Sequence, residues 1–189
     1  NDHIMFSVLA ASLLALAQAQ AAAPPAAPNA PNAPITTEET PYQAWMMRCE
    51  TRAQPQPETT LCGVTSTVTA QVQENEQPVI LTKILLRPAK EGAYQLSFEL
   101  PLAVLLPAGA QLTDAQGEEI IRLPFITCQQ TGCEAGAVLT PEQLQQWLTS
   151  PEKATVFYSL SNGKRMKLDF SMAGMDQAFA HLERATAEN

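Results

Sequence analysis

Short runs in which apolar and polar residues alternate are the feature that most restricts the fold of this sequence. In residues 64–72, Val64, Val68 and Val72 share one face of an extended chain, and threonines and a glutamine occupy the other. A period of two is typical of a strand with one buried face. Similar runs occur at residues 42–50, 79–86, 94–100 and 121–128. Such strands bury their apolar faces only against a second layer, so we predict a mainly β, antiparallel, sandwich-like domain.

Two short helices are predicted to interrupt the strands. Thr140 lies three residues before Gln143, and a proline stands between them at the first helical position. This is the spacing of a capping box, so a helix is predicted over residues 140–149. Apolar residues at helical spacing near the C-terminus favour a second helix over residues 175–184.

A hairpin is predicted close to the C-terminus. Residues 154–160 and 165–172 both read as strands, and Asn162 and Gly163 stand at the centre of the segment that joins them. Asn and Gly tolerate a positive φ, which the tightest hairpin turns require.

The four cysteines form two close pairs in the sequence, Cys49 with Cys62 and Cys128 with Cys133. Four cysteines allow three connectivities, of which local pairing is the most economical. Chain entropy gives about 3 kcal/mol for the first bond and about 2 kcal/mol for the second. A four-cysteine zinc site is the alternative, but its ligands usually come in tighter C-x2-C pairs. We therefore expect disulfides, with no metal and no thiol chemistry.

The N-terminus reads as an export signal followed by a spacer. Residues 4–17 are almost entirely apolar and lead into two A-x-A sites, the pattern of a cleaved signal peptide, although no Lys or Arg precedes the run. An uncleaved signal anchor is the alternative. Pro and Ala then dominate, as in an extended linker. The expected boundaries are 1–21 for the signal peptide or anchor, 22–41 for the linker, 42–184 for the β domain and 185–189 for a tail.

The net charge narrows the possible partners. At −8, with 11 Lys and Arg residues, the chain lacks the basic stripe that binds phosphate backbones, so no nucleic-acid partner is expected. An acidic domain does not attract anionic lipid headgroups either. Membrane contact is therefore expected only through the N-terminal segment, if that segment remains uncleaved.

No catalytic constellation is visible in the sequence. The histidines are His3, in the leader, and His181, near the C-terminus, where a solvated side chain is expected. The acidic residues Asp114, Glu118, Glu119, Glu134 and Glu142 are scattered over turns and strand faces. Single glycines at turns form no phosphate loop. We therefore predict a protein that is not an enzyme and has no cofactor.

Several other side chains are candidates for ligand contacts or for the core. Strand-borne arginines are the candidate ligand contacts, although such residues often only solvate a face: Arg48, Arg87, Arg122 and Arg165. Trp45 and Trp147 are predicted to lie in the core. Residues 102–106 are apolar throughout and fit either a buried strand or an exposed edge that binds a partner.

Three motifs give the sequence a resemblance to a known family. They are WMMRC at residues 45–49 with Cys62 downstream, LPLAVLLPAG at residues 100–109, and LPFITCQQTGC at residues 123–133. In combination they resemble the invasion-associated locus B family of proteobacterial envelope proteins, over roughly residues 42–182. The resemblance implies a Sec-exported protein of the periplasm or cell envelope, associated in some pathogens with entry into host cells, and no enzymatic activity.

Three functions are therefore expected to compete. The first is a non-catalytic envelope protein whose β domain binds another envelope protein or the membrane surface. The second is an accessory subunit of an inner-membrane complex, tethered by a retained leader and the Pro/Ala spacer. The third and more remote hypothesis, a hydrolase or small-ligand carrier, requires convergent polar groups in one cavity.

Overall fold

The structure is a computed structural model that describes residues 35–53, 57–71 and 77–187. The predicted signal segment and the linker before Ile35 lie outside these residues. Within them the strands are, in chain order, β1 (Ile35–Tyr42), β2 (Trp45–Arg52), β3 (Thr59–Ala70), β4 (Val79–Pro88), β5 (Tyr94–Leu100), β6 (Ala110–Thr113), β7 (Glu119–Leu123), β8 (Phe125–Gln129), β9 (Gly132–Leu139), β10 (Lys153–Ser159) and β11 (Arg165–Ser171). The α-helices are α1 (Pro141–Leu148) and α2 (Met175–Ala187), and two short 3-10 helices lie at Lys90–Gly92 and Leu106–Ala108.

The strands form two antiparallel sheets, which confirms the predicted fold class. The larger sheet has seven strands in the order β1-β2-β3-β4-β5-β9-β8, and the smaller has four in the order β11-β10-β6-β7. Alternation along the strands directs one face of each sheet into a shared core. None of the described helices is long and apolar enough to cross a bilayer.

Aromatic side chains join the two sheets and α1 in the core. Trp45 on β2 packs edge-to-face against Trp147 of α1 at 5.8 Å and against Phe170 of β11 at 6.4 Å between ring centroids. Phe170 also meets Phe98 of β5 at 5.7 Å. The two tryptophans are 2% and 0% exposed, as predicted, so the core spans both layers.

Both predicted helices and the predicted hairpin are present. Thr140 and Gln143 form the reciprocal capping box at the start of α1. The turn between β10 and β11 contains Gly163 with a φ of 84°, the left-handed conformation that the Asn-Gly signal anticipates.

Three boundaries differ from the sequence-based expectation. The linker was expected to run to residue 41, but Ile35–Tyr42 forms the edge strand β1. Most side chains of β1 are exposed, so its sequence lacks the alternation of apolar and polar residues that predicts a strand. The single strand expected at residues 42–50 is instead the end of β1, a turn at Gln43 with a φ of 53°, and β2. Helix α2 continues beyond residue 184 to Ala187.

The strand expected over residues 121–128 is divided between the two sheets. Strand β7 ends at Leu123 and β8 begins at Phe125, so the chain changes sheets at Pro124. Proline has no N–H to donate to a ladder, and a change of sheet at this position sacrifices no hydrogen bond.

Candidate binding groove

The outward face of the larger sheet carries charged side chains at alternate positions. On β2, Trp45 and Met47 are buried, while Arg48 and Arg52 are exposed. The same alternation on β4 buries the side chains on either side of Lys83. One strand pattern therefore supplies both the core and a polar face opposite to it.

This outward face encloses an open groove of about 550 Å³. Its lining includes Arg48 on β2, Gly63 on β3, Ser97 on β5, Glu134 on β9 and Thr127 on β8. In a flat sheet, β2 and β8 would be roughly 24 Å apart, because neighbouring strands are separated by about 4.8 Å. The groove therefore runs across six neighbouring strands of the larger sheet, from β2 to β8.

A glycine helps to keep the groove open. Gly63 on β3 lines it. A Cβ atom at Gly63 would lie 3.0 Å from the Leu85 side chain and 3.1 Å from the backbone oxygen of Leu86. Glycine in a strand allows a neighbour to approach this closely, so a larger residue at position 63 would narrow the groove and press against β4.

Ion pairs occupy the walls of the groove. Arg48 lies 3.3 Å from Glu39 and 2.7 Å from Glu50, and Lys83 lies 3.3 Å from Glu99. The side chains of Arg48 and Lys83 are 45% and 51% exposed. Exposed pairs of this kind contribute about 0–1 kcal/mol each, so a bound molecule can replace one member at little cost.

The groove differs in charge from the rest of the molecule. Its lining contains four cations, Arg48, Arg52, Lys83 and Arg87, and three carboxylates, those of Glu50, Glu99 and Glu134. The chain as a whole has a net charge of −8. Glu39, which contacts Arg48 from outside this lining, adds a fourth carboxylate. The groove is therefore balanced in charge on an acidic protein, which favours a ligand of mixed charge.

The structure divides the four predicted ligand-contact arginines between the two sheets. Arg48 and Arg87 both line the groove. Arg122 and Arg165 lie instead beside a second cavity of about 310 Å³ on the smaller sheet. Arg122 pairs with Glu119 at 3.2 Å, and the Arg165 guanidinium lies 4.5 Å from the centre of the Phe157 ring.

Sequence reasoning missed Arg52 and Lys83 as groove residues. The signal was present, because Arg52 follows Arg48 by four residues and Lys83 precedes Arg87 by four, both at the even spacing that places residues on one face of a strand. Which faces come together in one groove depends on how the distant strands pair.

His181 is not simply solvated, as the sequence suggested. It is half-buried on α2, and its Nδ1 atom lies 3.0 Å from the Tyr42 hydroxyl at the end of β1. The two rings also meet edge-to-face, with centroids 6.0 Å apart. Its contact is therefore a structural one between the first strand and the last helix.

Disulfides join neighbouring strands at both sides of the groove. Cys49 on β2 is bonded to Cys62 on β3, and Cys128 on β8 is bonded to Cys133 on β9. Each pair stands directly across an antiparallel ladder. Among the described residues no cluster of His, Cys, Asp and Glu is suited to hold a metal ion.

Comparison with known proteins identifies the family. A search of curated proteins gave no match. The crystal structure of invasion associated protein B from Bartonella henselae has the same fold, with a TM-score of 0.65 and 15% sequence identity over 80% of this chain and 98% of that chain. Residues 45–183 match the family described as invasion associated locus B (IalB) protein. The chain therefore belongs to the IalB family, as its motifs predicted.

Proposed function

We propose that this chain is an exported, non-catalytic protein of the periplasm or cell envelope that binds another envelope protein through the groove on its larger sheet. The two disulfides support export, because such bonds persist in oxidising compartments. The apolar N-terminal run and its A-x-A sites point the same way.

The groove is the observation that carries this proposal. A disulfide joins neighbouring strands on each side of the groove, and the groove is open to solvent. A preformed surface loses little conformational entropy on binding, which favours recognition. A carboxylate of the partner can displace Glu39 or Glu50 from Arg48, since surface pairs are weak.

The arrangement of ionisable groups supports binding rather than catalysis. Catalysis by a general base or an activated nucleophile requires a base within hydrogen-bonding reach of the reacting group. His181 bonds to Tyr42 and is not among the residues that line the groove. Within the groove, Arg48 pairs with Glu50, and Lys83 pairs with Glu99.

Photocrosslinking in the intact envelope tests the proposal. Leu61 lines the groove and is 60% exposed, so a photoreactive amino acid at this position should crosslink to one defined partner. The same probe at Lys90, an exposed position outside the lining, should not. Charge reversal by Arg48→Glu with Arg87→Glu should abolish the crosslink, because two groove cations are lost.

A matched control is available away from the groove. Lys90→Glu with Arg184→Glu makes the same change in net charge at exposed positions outside the groove lining and should leave the Leu61 crosslink intact. If both pairs of substitutions reduce crosslinking equally, the groove is not the binding surface. Thermal unfolding followed by circular dichroism should first show that both variants are folded, so that a lost crosslink reports on binding.

A further inference from the structure

Residues 101–109 form a loop that contains one short 3-10 helix, Leu106–Ala108, and presents three leucines to solvent. Leu102, Leu105 and Leu106 are 50%, 39% and 51% exposed. Val104, which lies between them, is only 7% exposed and forms a β-bridge with Leu160. The loop is therefore anchored by one apolar residue and exposes the others.

The backbone of this loop is fixed by hydrogen bonds to the end of β10. The Leu105 N–H donates to the Ser159 oxygen, and the Ser161 N–H donates to the Ala103 oxygen, both at 2.7 Å. Ala103 has a φ of 67°, a left-handed conformation that costs a residue other than glycine about 1–3 kcal/mol. The fold keeps this strained geometry, and with it the outward position of the leucines.

The β10–β11 turn, which carries two basic residues, lies beside the loop. The β-bridge between Val104 and Leu160 and the hydrogen bond from the Ser161 N–H to the Ala103 oxygen join the two segments. Lys164 and Arg165 are both exposed. Residues 101–109 and 157–168 contain no Asp or Glu, although the chain carries a charge of −8.

One carboxylate approaches this region indirectly. Arg165 donates to Gln111 at 3.1 Å, and Gln111 donates to Glu119 at 2.6 Å. Glu119 is already paired with Arg122 at 3.2 Å. The positive charge of Lys164 and Arg165 is therefore not cancelled within the loop and turn. We call Leu102, Leu105, Leu106, Lys164 and Arg165 the apolar-basic pole.

We propose that the apolar-basic pole docks on the surface of a lipid bilayer that carries anionic headgroups. Leucines that enter the interface and cations that meet lipid phosphates are the two attractions by which peripheral proteins bind membranes. The net charge of the chain opposes this only weakly, because charges more than about 8 Å away are screened at physiological salt. The domain thus contacts the membrane in addition to any N-terminal anchor.

The backbone of the loop suits an apolar environment. Pro101 and Pro107 have no N–H group to desolvate. The N–H groups of Leu105, Ala108 and Gly109 are bonded to oxygens of the protein. These backbone groups therefore leave no N–H donor without a hydrogen bond when the loop enters the headgroup layer, so their transfer from water costs little.

Vesicle binding of the full chain, purified from its own envelope, tests the proposal. The triple substitution Leu102→Ser, Leu105→Ser, Leu106→Ser should lower affinity for phosphatidylcholine–phosphatidylglycerol vesicles on the order of a hundredfold. The control Val79→Ser, Ile80→Ser, Val138→Ser changes residues of similar exposure, 48%, 51% and 54%, elsewhere on the molecule and should leave affinity unchanged. All variants should retain the near-ultraviolet circular dichroism of the parent.

The charges of the pole require a second comparison. Lys164→Ser with Arg165→Ser should weaken binding to the anionic vesicles by about tenfold or more, and should have little effect on vesicles of phosphatidylcholine alone. Lys90→Ser with Arg184→Ser makes the same change in net charge at exposed positions away from the pole and should have little effect on either.

A local probe makes the test independent of the leader. In Leu106→Trp, anionic vesicles should shift the tryptophan emission to the blue, whereas Ile80→Trp should show no shift. An unshifted Leu106→Trp emission, or equal vesicle binding by the parent and the triple serine variant, would overturn the proposal. If vesicles leave the emission unchanged but an acidic protein shifts it, the partner of the pole is a protein, and the membrane proposal is equally overturned.

Discussion

Asp169 on β11 is held in its ionised form by three neighbours. The Thr155 hydroxyl on β10 donates to its Oδ1 atom at 2.6 Å, and the ammonium groups of Lys153 and Lys167 lie 3.6 Å and 3.4 Å from its carboxylate. The Thr155 hydrogen bond is the main reason that the pKa of Asp169 lies below 3.8, and partial desolvation opposes it. A pKa lowered by folding stabilises the protein above the pKa of the unfolded chain, and this stabilisation is lost as the pH falls through the folded-state pKa.

Thr155→Val should therefore alter the acid limb of the stability curve. We expect the pKa of Asp169 to rise toward its ordinary value, which a carboxylate titration followed by NMR would detect. The melting temperature should fall at neutral pH, and the gap from the parent should narrow as the pH falls through the lowered pKa of Asp169, where the carboxyl becomes protonated in both proteins. Thr155→Ser keeps the hydroxyl and should behave as the parent. Parallel pH curves for Thr155→Val and the parent would contradict the assignment.

Individual groove residues could be predicted from the sequence only in part. Arg48 and Arg87 were recognised as strand-borne candidates because an alternating pattern reveals which side chains share a face. The pattern carries no information on which strands lie side by side, because that depends on pairings such as that of Ser97 with Gly136, residues far apart in the chain. The meeting of Arg48 and Glu134 in one groove could not be predicted for this reason.

Among the elements, helix α1 depends on the capping box at its start. Thr140 accepts a hydrogen bond from the Gln143 N–H at 3.2 Å, and the Gln143 side chain accepts one from the Thr140 N–H at 2.9 Å. Thr140→Ala should lower the free energy of unfolding by about 1 kcal/mol, measured by urea denaturation, because the Gln143 N–H loses its acceptor. Thr140→Ser should restore most of the stability, and equal destabilisation by Ser and Ala would exclude the cap as the cause.

The strength of local signals explains which elements were predicted. The β10–β11 hairpin and helix α1 carry turn and capping residues that act within a few positions. Strand β6 has only four residues, and β9 contains Gly132 and Gly136, so neither shows the β-branched pattern that marks a strand. These two strands form because their neighbours pair with them on both sides.

At the scale of the molecule, the two sheets, α1 and α2 share one core. Trp45 and Phe170 lie on different sheets and pack together, and the Trp45 indole N–H donates to the Ser171 oxygen at 3.0 Å. The apolar face of each predicted strand indicated that a second layer exists. It did not indicate that the chain would leave one sheet at Pro124 and enter the other. The alternation of apolar and polar residues does not change where the chain passes between the sheets.

The stability of the whole molecule should depend on its two disulfides, and unequally. Bonds that close 13 and 5 residues of sequence restrict the unfolded chain by about 3 and about 2 kcal/mol respectively. Cys49→Ser with Cys62→Ser should therefore lower the free energy of unfolding more than Cys128→Ser with Cys133→Ser, as measured by denaturation under non-reducing conditions. Loss of both would remove a large share of the roughly 5–15 kcal/mol typical of a folded domain, so the fold would be marginal in a reducing compartment. A larger loss from the 128–133 pair would mean that this bond acts on the folded hairpin rather than through the entropy of the unfolded chain.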